Sequence, residues 1–271
     1  MEENKQFHKQ VKENITSLSS DRDMHDLSRI WLRDTLKHRY SYNFTWMSRP
    51  IIQYPQDIVA MQELIWSVKP DLIIETGIAH GGSLIFSASM LALLDMADAM
   101  ENGVSIDPKK SNRKVLGIDI DIREHNRIAI EEHPMSSRIQ MIQSSSIAPE
   151  IIDQVKEIAN YYNRILVCLD SNHTHDHVLS ELEAYASLTS VGSYCVVFDT
   201  VIEDLPDKMS PDRPWGKGNN PKTAVYEYLR RLESRKLTSA DENAIEFEVA
   251  SEIDSKLLIS VAPSGYLRRI R

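Results

Sequence analysis

From Asp71 onward the chain repeats one pattern: a short apolar run, a polar cluster, then an amphipathic stretch of helical period. The runs fall at Leu72–Glu75, Val115–Asp119, Ile139–Ile142, Ile165–Asp170, Tyr194–Asp199 and Leu257–Val261. Short runs without polar alternation are strands covered on both faces. Amphipathic helices fit between them at Ser83–Met100, Arg123–Glu132, Pro149–Ala159, His177–Leu188 and Pro221–Glu233. Parallel neighbours need such crossovers, so the expected class is α/β, with a doubly wound, mostly parallel sheet. Ala244–Ser251 and Lys256–Ala262 read as a hairpin that adds an antiparallel edge.

The first 70 residues read differently, as mostly helical and polar. Met24, Leu27, Ile30, Trp31 and Leu36 recur near helical spacing, and a second helix fits Asp57–Val68 with Ile58, Met61, Leu64 and Ile65 on one face. Trp31, Tyr40, Tyr42, Phe44 and Trp46 are too many aromatic rings to leave in water. Residues 1–70 are therefore expected to form a helical cap or oligomerisation segment ahead of a domain at 71–271.

Charge narrows the partners. Lys+Arg 31 against Asp+Glu 40 gives a net charge of −9, which argues against a nucleic-acid binder, because such proteins need a basic face. The two cysteines, Cys168 and Cys195, lie inside apolar runs and read as core residues of a reducing compartment. The N-terminus reads as no signal peptide, and Asp95 and Asp98 interrupt the longest apolar stretch, Ser83 to Met100. A soluble, cytoplasmic protein with no membrane span is expected.

In doubly wound sheets ligands bind beyond the carboxyl ends of the strands, and here each such end is polar. The first runs through Glu75-Thr76-Gly77 to Gly81-Gly82-Ser83 and a helix. Glycines there admit a close ligand, although a plain tight turn uses them too. Asp119, ending the second strand, suits two ribose hydroxyls or a solvated end; Asp121 fits better as the N-cap of the next helix. After the third strand, Ser144, Ser145 and Ser146 offer donors to a base edge, or Ser146 simply starts a turn.

Asp170 and Asp199, at the fourth and fifth strand ends, make a plausible hard-cation site. His173, His175 and His177 follow the first of these without a zinc-ligand spacing. The segment 206–221, rich in proline and ending in an Asn220-Pro221 helix start, is long enough for an active-site lid or a rigid surface loop.

Taken together, Glu75-Thr76-Gly77, Gly81-Gly82-Ser83, Gly117-Ile118-Asp119-Ile120-Asp121, Phe198-Asp199-Thr200 and Pro214-Trp215-Gly216-Lys217-Gly218-Asn219-Asn220-Pro221-Lys222 resemble one family. It is the cephalosporin hydroxylase / rhamnosyl O-methyltransferase family of Rossmann-like, S-adenosylmethionine-dependent methyltransferases. The resemblance covers about residues 45–265 and implies an O-methyltransferase acting on a hydroxyl of a sugar, glycan or glycosylated metabolite.

It also implies that Glu75, Gly77, Gly81 and Ser83 line the methionine end of S-adenosylmethionine, that Asp119 holds the ribose, and that Ser145 lies near the adenine. Asp170 and Asp199 would bind Mg2+, and a homo-oligomer is implied. Two positions depart from the pattern: Phe198 stands where some members have Glu, leaving Thr200 or water to replace a ligand or the site without a metal, and Asn172 stands where relatives often have Asp. His173 then becomes the candidate general base, since imidazole is the side chain that changes charge near neutrality. The competing readings are a catalytically silent cofactor-binding protein and an NAD-dependent oxidoreductase, the latter disfavoured by the missing G-x-G-x-x-G.

Overall fold

The computed structural model describes residues 2–206, 209, 212–238 and 244–271. Two helices, α1 (Glu2–Ser20) and α2 (Arg22–Lys37), precede a small antiparallel pair, β1 (Phe44–Trp46) and β2 (Arg49–Ile51), and α3 (Pro55–Val68). The main body follows as β3 (Leu72–Thr76), α4 (Gly82–Asn102), β4 (Lys114–Asp119), α5 (Glu124–Glu131), β5 (Ile139–Gln143), α6 (Pro149–Ala159) and β6 (Ile165–Leu169). It continues with α7 (His175–Tyr185), β7 (Tyr194–Val197), α8 (Pro221–Thr238), β8 (Phe247–Val249), α9 (Ser251–Leu257) and β9 (Tyr266–Arg269).

The main sheet has seven strands in the order β5-β4-β3-β6-β7-β9-β8, the first five parallel and β9 antiparallel to both its neighbours. The expected α/β class with an antiparallel edge is therefore the observed one. Strand order reverses between β3 and β6, which opens a crevice beyond their carboxyl ends.

Each of the parallel strands feeds two cores. On β3, Ile73 packs with α3 and α4 on one face, while Leu72 and Ile74 pack with α6 and α7 on the other. That double burial is why the run carries no polar alternation. Helix α4 is long and apolar enough to cross a membrane by length and composition, but 56% of its apolar window is buried inside the protein. Cys168 and Cys195 are free, buried core residues on adjoining strands.

The last expected strand is displaced. Leu257–Val261 is apolar, yet it forms the end of α9 and an irregular segment, and the pairing strand is Tyr266–Arg269. The reason is a buried carboxylate: Asp57 accepts hydrogen bonds from Ser260 Oγ (2.6 Å), Val261 N (3.0 Å) and Tyr266 OH (2.8 Å). A backbone N–H spent on a side chain is lost to a ladder. Helix α9 consequently separates β8 from β9, where the sequence reads as a direct hairpin.

Most of the N-terminal aromatics pack within the chain. Trp31, Tyr40, Phe44 and Tyr54 make edge or tilted ring contacts, with centroids 5.0–5.9 Å apart. Trp46 sets its edge on Phe86 and donates Nε1–H to Ser89 Oγ at 3.0 Å. Tyr42 alone of that cluster is mostly exposed. One continuous set of buried side chains joins Leu32, Ile51, Tyr54 and Leu64 to Ile73 and Leu84 across residue 70.

Candidate active site

The loop after β3 is built around Gly77. Its φ is +90°, and a Cβ there would lie 2.0 Å from the Asp170 carbonyl oxygen, so only glycine lets the β3 and β6 ends close on one another. Gly81, at φ +79°, caps the start of α4 against Ile130. Glu75 is buried and accepts a hydrogen bond from Ser83 Oγ. Loss of water raises its carboxyl to about 7, with the Ser83 bond opposing the rise.

A residue the sequence reading missed holds this loop from outside. Arg49, on β2, donates from Nε (3.0 Å) and Nη2 (2.6 Å) to the His80 carbonyl, and from Nη2 to Asn126 Oδ1 at 3.0 Å. The available signal was the β1–β2 turn, where Met47 and Ser48 both adopt positive φ (45° and 70°). Neither is a residue that announces such a turn, so the hairpin is hard to read from sequence.

Asp119 ends β4 beside the glycine loop as expected. Its Oδ2 accepts from the backbone N–H of Ile78 (2.7 Å) and Ala79 (3.3 Å), and its Oδ1 from Asp121 N (3.0 Å). The carboxylate thus shapes the loop, with lone pairs left for further donors. Asp121 is not the N-cap of α5. That position is Arg123, without a side-chain cap and two residues beyond Asp121, which stays largely exposed.

Ser145 is half-buried in the turn after β5. Its neighbour Ser146 is more than a turn residue: its hydroxyl donates to the buried Glu181 (2.5 Å) and lies 3.2 Å from His177 Nε2, while Ser171 Oγ donates to the same Glu181 oxygen at 2.7 Å. Glu181 ties the turns after β5 and β6 together.

Asp170, His173 and Asp199 converge at the ends of β6 and β7, each offering a ligand atom within 4.8 Å of the others. His173 Nε2 lies 3.2 Å from Asp199 Oδ2. Desolvation, followed by the charges of Asp199 and Glu75, holds the Asp170 carboxyl well above the usual carboxylate range. Acidic groups crowded in this way attract a cation, and two carboxylates are donors that suit a hard divalent ion, so the residues fit a magnesium site.

The two departures have structural accounts. Phe198 is buried and points into a cavity beside Asp170. Thr200 is no substitute ligand, since it is buried with its hydroxyl donating to the Pro263 carbonyl at 2.8 Å. Asn172 closes a turn by accepting from Thr174 N (2.9 Å) and Thr174 Oγ1 (2.8 Å). His175 opens α7, two residues earlier than expected, and its ring meets Thr223 Oγ1 at 2.8 Å.

Of the segment 206–221, residues 207, 208, 210 and 211 fall outside the described ones, and the stretch from 212 to 221 meets this edge. Trp215 sets its ring edge-on to His173 (4.7 Å), and the Arg213 guanidinium sits 5.2 Å from the Trp215 ring centre. Asn220 is the expected N-cap of α8, accepting from Lys222 N (3.0 Å) and Thr223 N (3.3 Å). Glu203 Oε2 accepts from Gly218 N at 2.8 Å and from Asn220, which straps the segment down.

A glycine loop at a sheet switch point, next to paired strand-end aspartates, is the arrangement on which comparison with known proteins bears. A family model described as Rhamnosyl O-methyltransferase/CmcI matches residues 38–270. The chain belongs to that family. A rhamnosyl O-methyltransferase of Mycobacterium leprae (strain TN) is 30% identical over 176 residues, which cover 62% of this chain and 68% of that protein. One of Mycobacterium bovis (strain BCG / Pasteur 1173P2) is 28% identical over 214 residues, covering 79% and 73%.

Among solved structures, CmcI with magnesium and S-adenosylmethionine aligns at a TM-score of 0.50 and 16% identity, covering 85% of this chain and 78% of that one. It shares the methyltransferase fold. As a member of the Rhamnosyl O-methyltransferase/CmcI family the chain is an O-methyltransferase.

Proposed function

We propose that the protein moves a methyl group from S-adenosylmethionine to a hydroxyl oxygen of a sugar, on a glycan or a glycosylated small molecule, with Mg2+ held by Asp170 and Asp199. One observation carries the reading: Asp170 meets both halves of the site. Its backbone carbonyl packs on Gly77 of the glycine loop, and its carboxylate faces His173 and Asp199. The rhamnosyl acceptors named for the mycobacterial relatives support a sugar.

In this reading Glu75, Gly77, Gly81 and Ser83 line the methionine end of the cofactor, Asp119 receives the ribose and Ser145 sits near the adenine. A bound magnesium ion would lower the pKa of an acceptor hydroxyl. The protein's own residues do the rest. With Nε2–H donating to Asp199, the Nδ1 of His173 takes the proton that the hydroxyl loses. The carboxylate then stabilises the imidazolium. The oxygen forms its bond to the methyl carbon as the carbon–sulfur bond breaks and the electron pair stays on sulfur. Holding oxygen, carbon and sulfur in line is an entropic task suited to a site closed by Trp215 and the segment around it.

The same reading makes residues 71–271 the methyl-transfer domain, with a lid at 206–221, and residues 1–70 a cap that also joins copies of the chain. Leu27 and Ile30 on α2 and Val59 and Trp66 on α3 are exposed, which supports a homo-oligomer. Two free, buried thiols support a cytoplasmic setting.

The test is transfer of labelled methyl from S-adenosylmethionine to a panel of rhamnosides with Mg2+ present. Asp199→Asn is the variant of choice, because Asp199 has φ +55° and asparagine tolerates that conformation. It is expected to lower transfer at least roughly a hundredfold while cofactor affinity stays close to that of the parent. Undiminished transfer would remove the metal role.

A further inference from the structure

Gln53 lies between β2 and α3 and is only 8% exposed, yet its amide is served on one side alone. Its Nε2 points at Asp170 Oδ2, 3.4 Å away, while Oε1 meets no donor among the described residues. Turning the amide over would set Oε1 against a carboxylate oxygen, so the carbonyl end is the one left without a partner. Buried carbonyls without donors are rare and mark places where something else supplies one.

The residue walls a cavity of about 30 Å³ together with Glu75, Ser83, Asp170 and Phe198. That volume has room for one or two water-sized groups. Asp57 reaches the same cavity, but its carboxylate is committed to Ser260, Val261 and Tyr266. The rest of the wall is largely apolar (Ile51, Ile58, Met61, Phe86), and its polar groups are the Ser83 and Ser87 hydroxyls, the Glu75 and Asp170 carboxyls and the Gln53 amide oxygen; Ser83 already donates to Glu75, which leaves the Gln53 oxygen in want of a donor. The complement of that oxygen, in a cavity this small, is a compact group rich in N–H. A primary ammonium, with three donors and no acceptor, has that chemistry.

We propose that Gln53 is a cofactor-binding residue whose Oε1 accepts an N–H from the α-ammonium of S-adenosylmethionine, with the side chains of Glu75 and Asp170 lining the same cavity. The inference rests on the methyl-donor reading above and deepens it. By holding the amino-acid end, Gln53 fixes where the sulfonium stands relative to the Asp170–Asp199 pair. Nothing about residue 53 in the sequence alone marks it out; its orphaned oxygen does.

Calorimetric titration of the full chain tests this without turnover. Wild type, Gln53→Met and Gln53→Ala are each titrated with S-adenosylhomocysteine and with its analogue lacking the α-amino group. Wild type is expected to prefer the amino ligand about tenfold, the size of a lost charge-assisted hydrogen bond. Gln53→Met is expected to lose that preference by weakening only the amino ligand. An equal loss for both ligands, or no loss for either, would overturn the assignment. If Met and Ala variants fail to fold by circular dichroism, Gln53→Glu keeps shape and oxygen: a retained preference supports the assignment, and its disappearance overturns it. Silence of wild type toward both ligands would instead bring down the methyl-donor reading, whereas equal binding of both would sink the ammonium contact alone.

Discussion

Glu75 sits in the interior and accepts a hydrogen bond from the Ser83 hydroxyl, and that has a consequence for stability as well as for binding. Its carboxyl is raised from 4.5 to about 7 in the folded chain. Between those values an unfolded chain has released the proton and the folded chain has not. Stability contributed by this group is therefore full below the unfolded pKa and falls as pH rises toward 7. Across that window the loss is of the order of 3 kcal/mol. Glu75→Gln should flatten the fall, so that chemical denaturation finds the variant more stable than the parent at pH 8 and closely matched at pH 4. An unchanged slope between those pH values would contradict the burial argument.

At this scale the sequence was informative about which residues gather and less so about what each one does. Asp170, Asp199 and His173 were legible because strand-end positions follow from the pattern of runs. Asp121 misses the N-cap because that role depends on where a helix starts, and helix starts shift by one or two residues without any change in composition. Arg49 and Gln53 were invisible, since both act through contacts made by distant segments.

Among the elements, the turn after β3 is the tightest constraint. Gly77→Ala would place a methyl 2.0 Å from a backbone oxygen at a φ of +90°. Gly192 provides a control, with φ +81° and open space around its Cβ position. Gly192→Ala should cost about 1–2 kcal/mol, the strain of a left-handed residue, and Gly77→Ala should cost at least about 2 kcal/mol more through the clash. Equal melting temperatures for the two variants would mean that β3 and β6 approach less closely than described.

Strands β3, β4, β6 and β7 were readable because each is short and mostly buried, whereas β5, at the sheet edge, is only half-buried. Leu257–Val261 has the same texture but a different fate, since Asp57, some 200 residues earlier in sequence, claims its backbone. Periodicity carries no information about that competition. The segment 206–221 was placed over the site from its proline content and position. The Trp215–His173 contact then ties it to the candidate base.

For the whole molecule, strand order decides where chemistry can occur. The reversal between β3 and β6 brings the glycine loop, the acidic strand ends and the Gln53 cavity to one edge of the sheet. Residues 1–70 belong to the same packed body through Leu32, Ile51 and Tyr54, so the N-terminal segment and the main sheet fold against each other. The central claim is that this edge binds S-adenosylmethionine. Its most direct test is a calorimetric titration of the full chain with S-adenosylmethionine, in Mg2+ and again in EDTA, with NAD as the comparison ligand. Micromolar binding of S-adenosylmethionine in both buffers, with NAD silent, is the predicted result; NAD binding with no response to S-adenosylmethionine would contradict it.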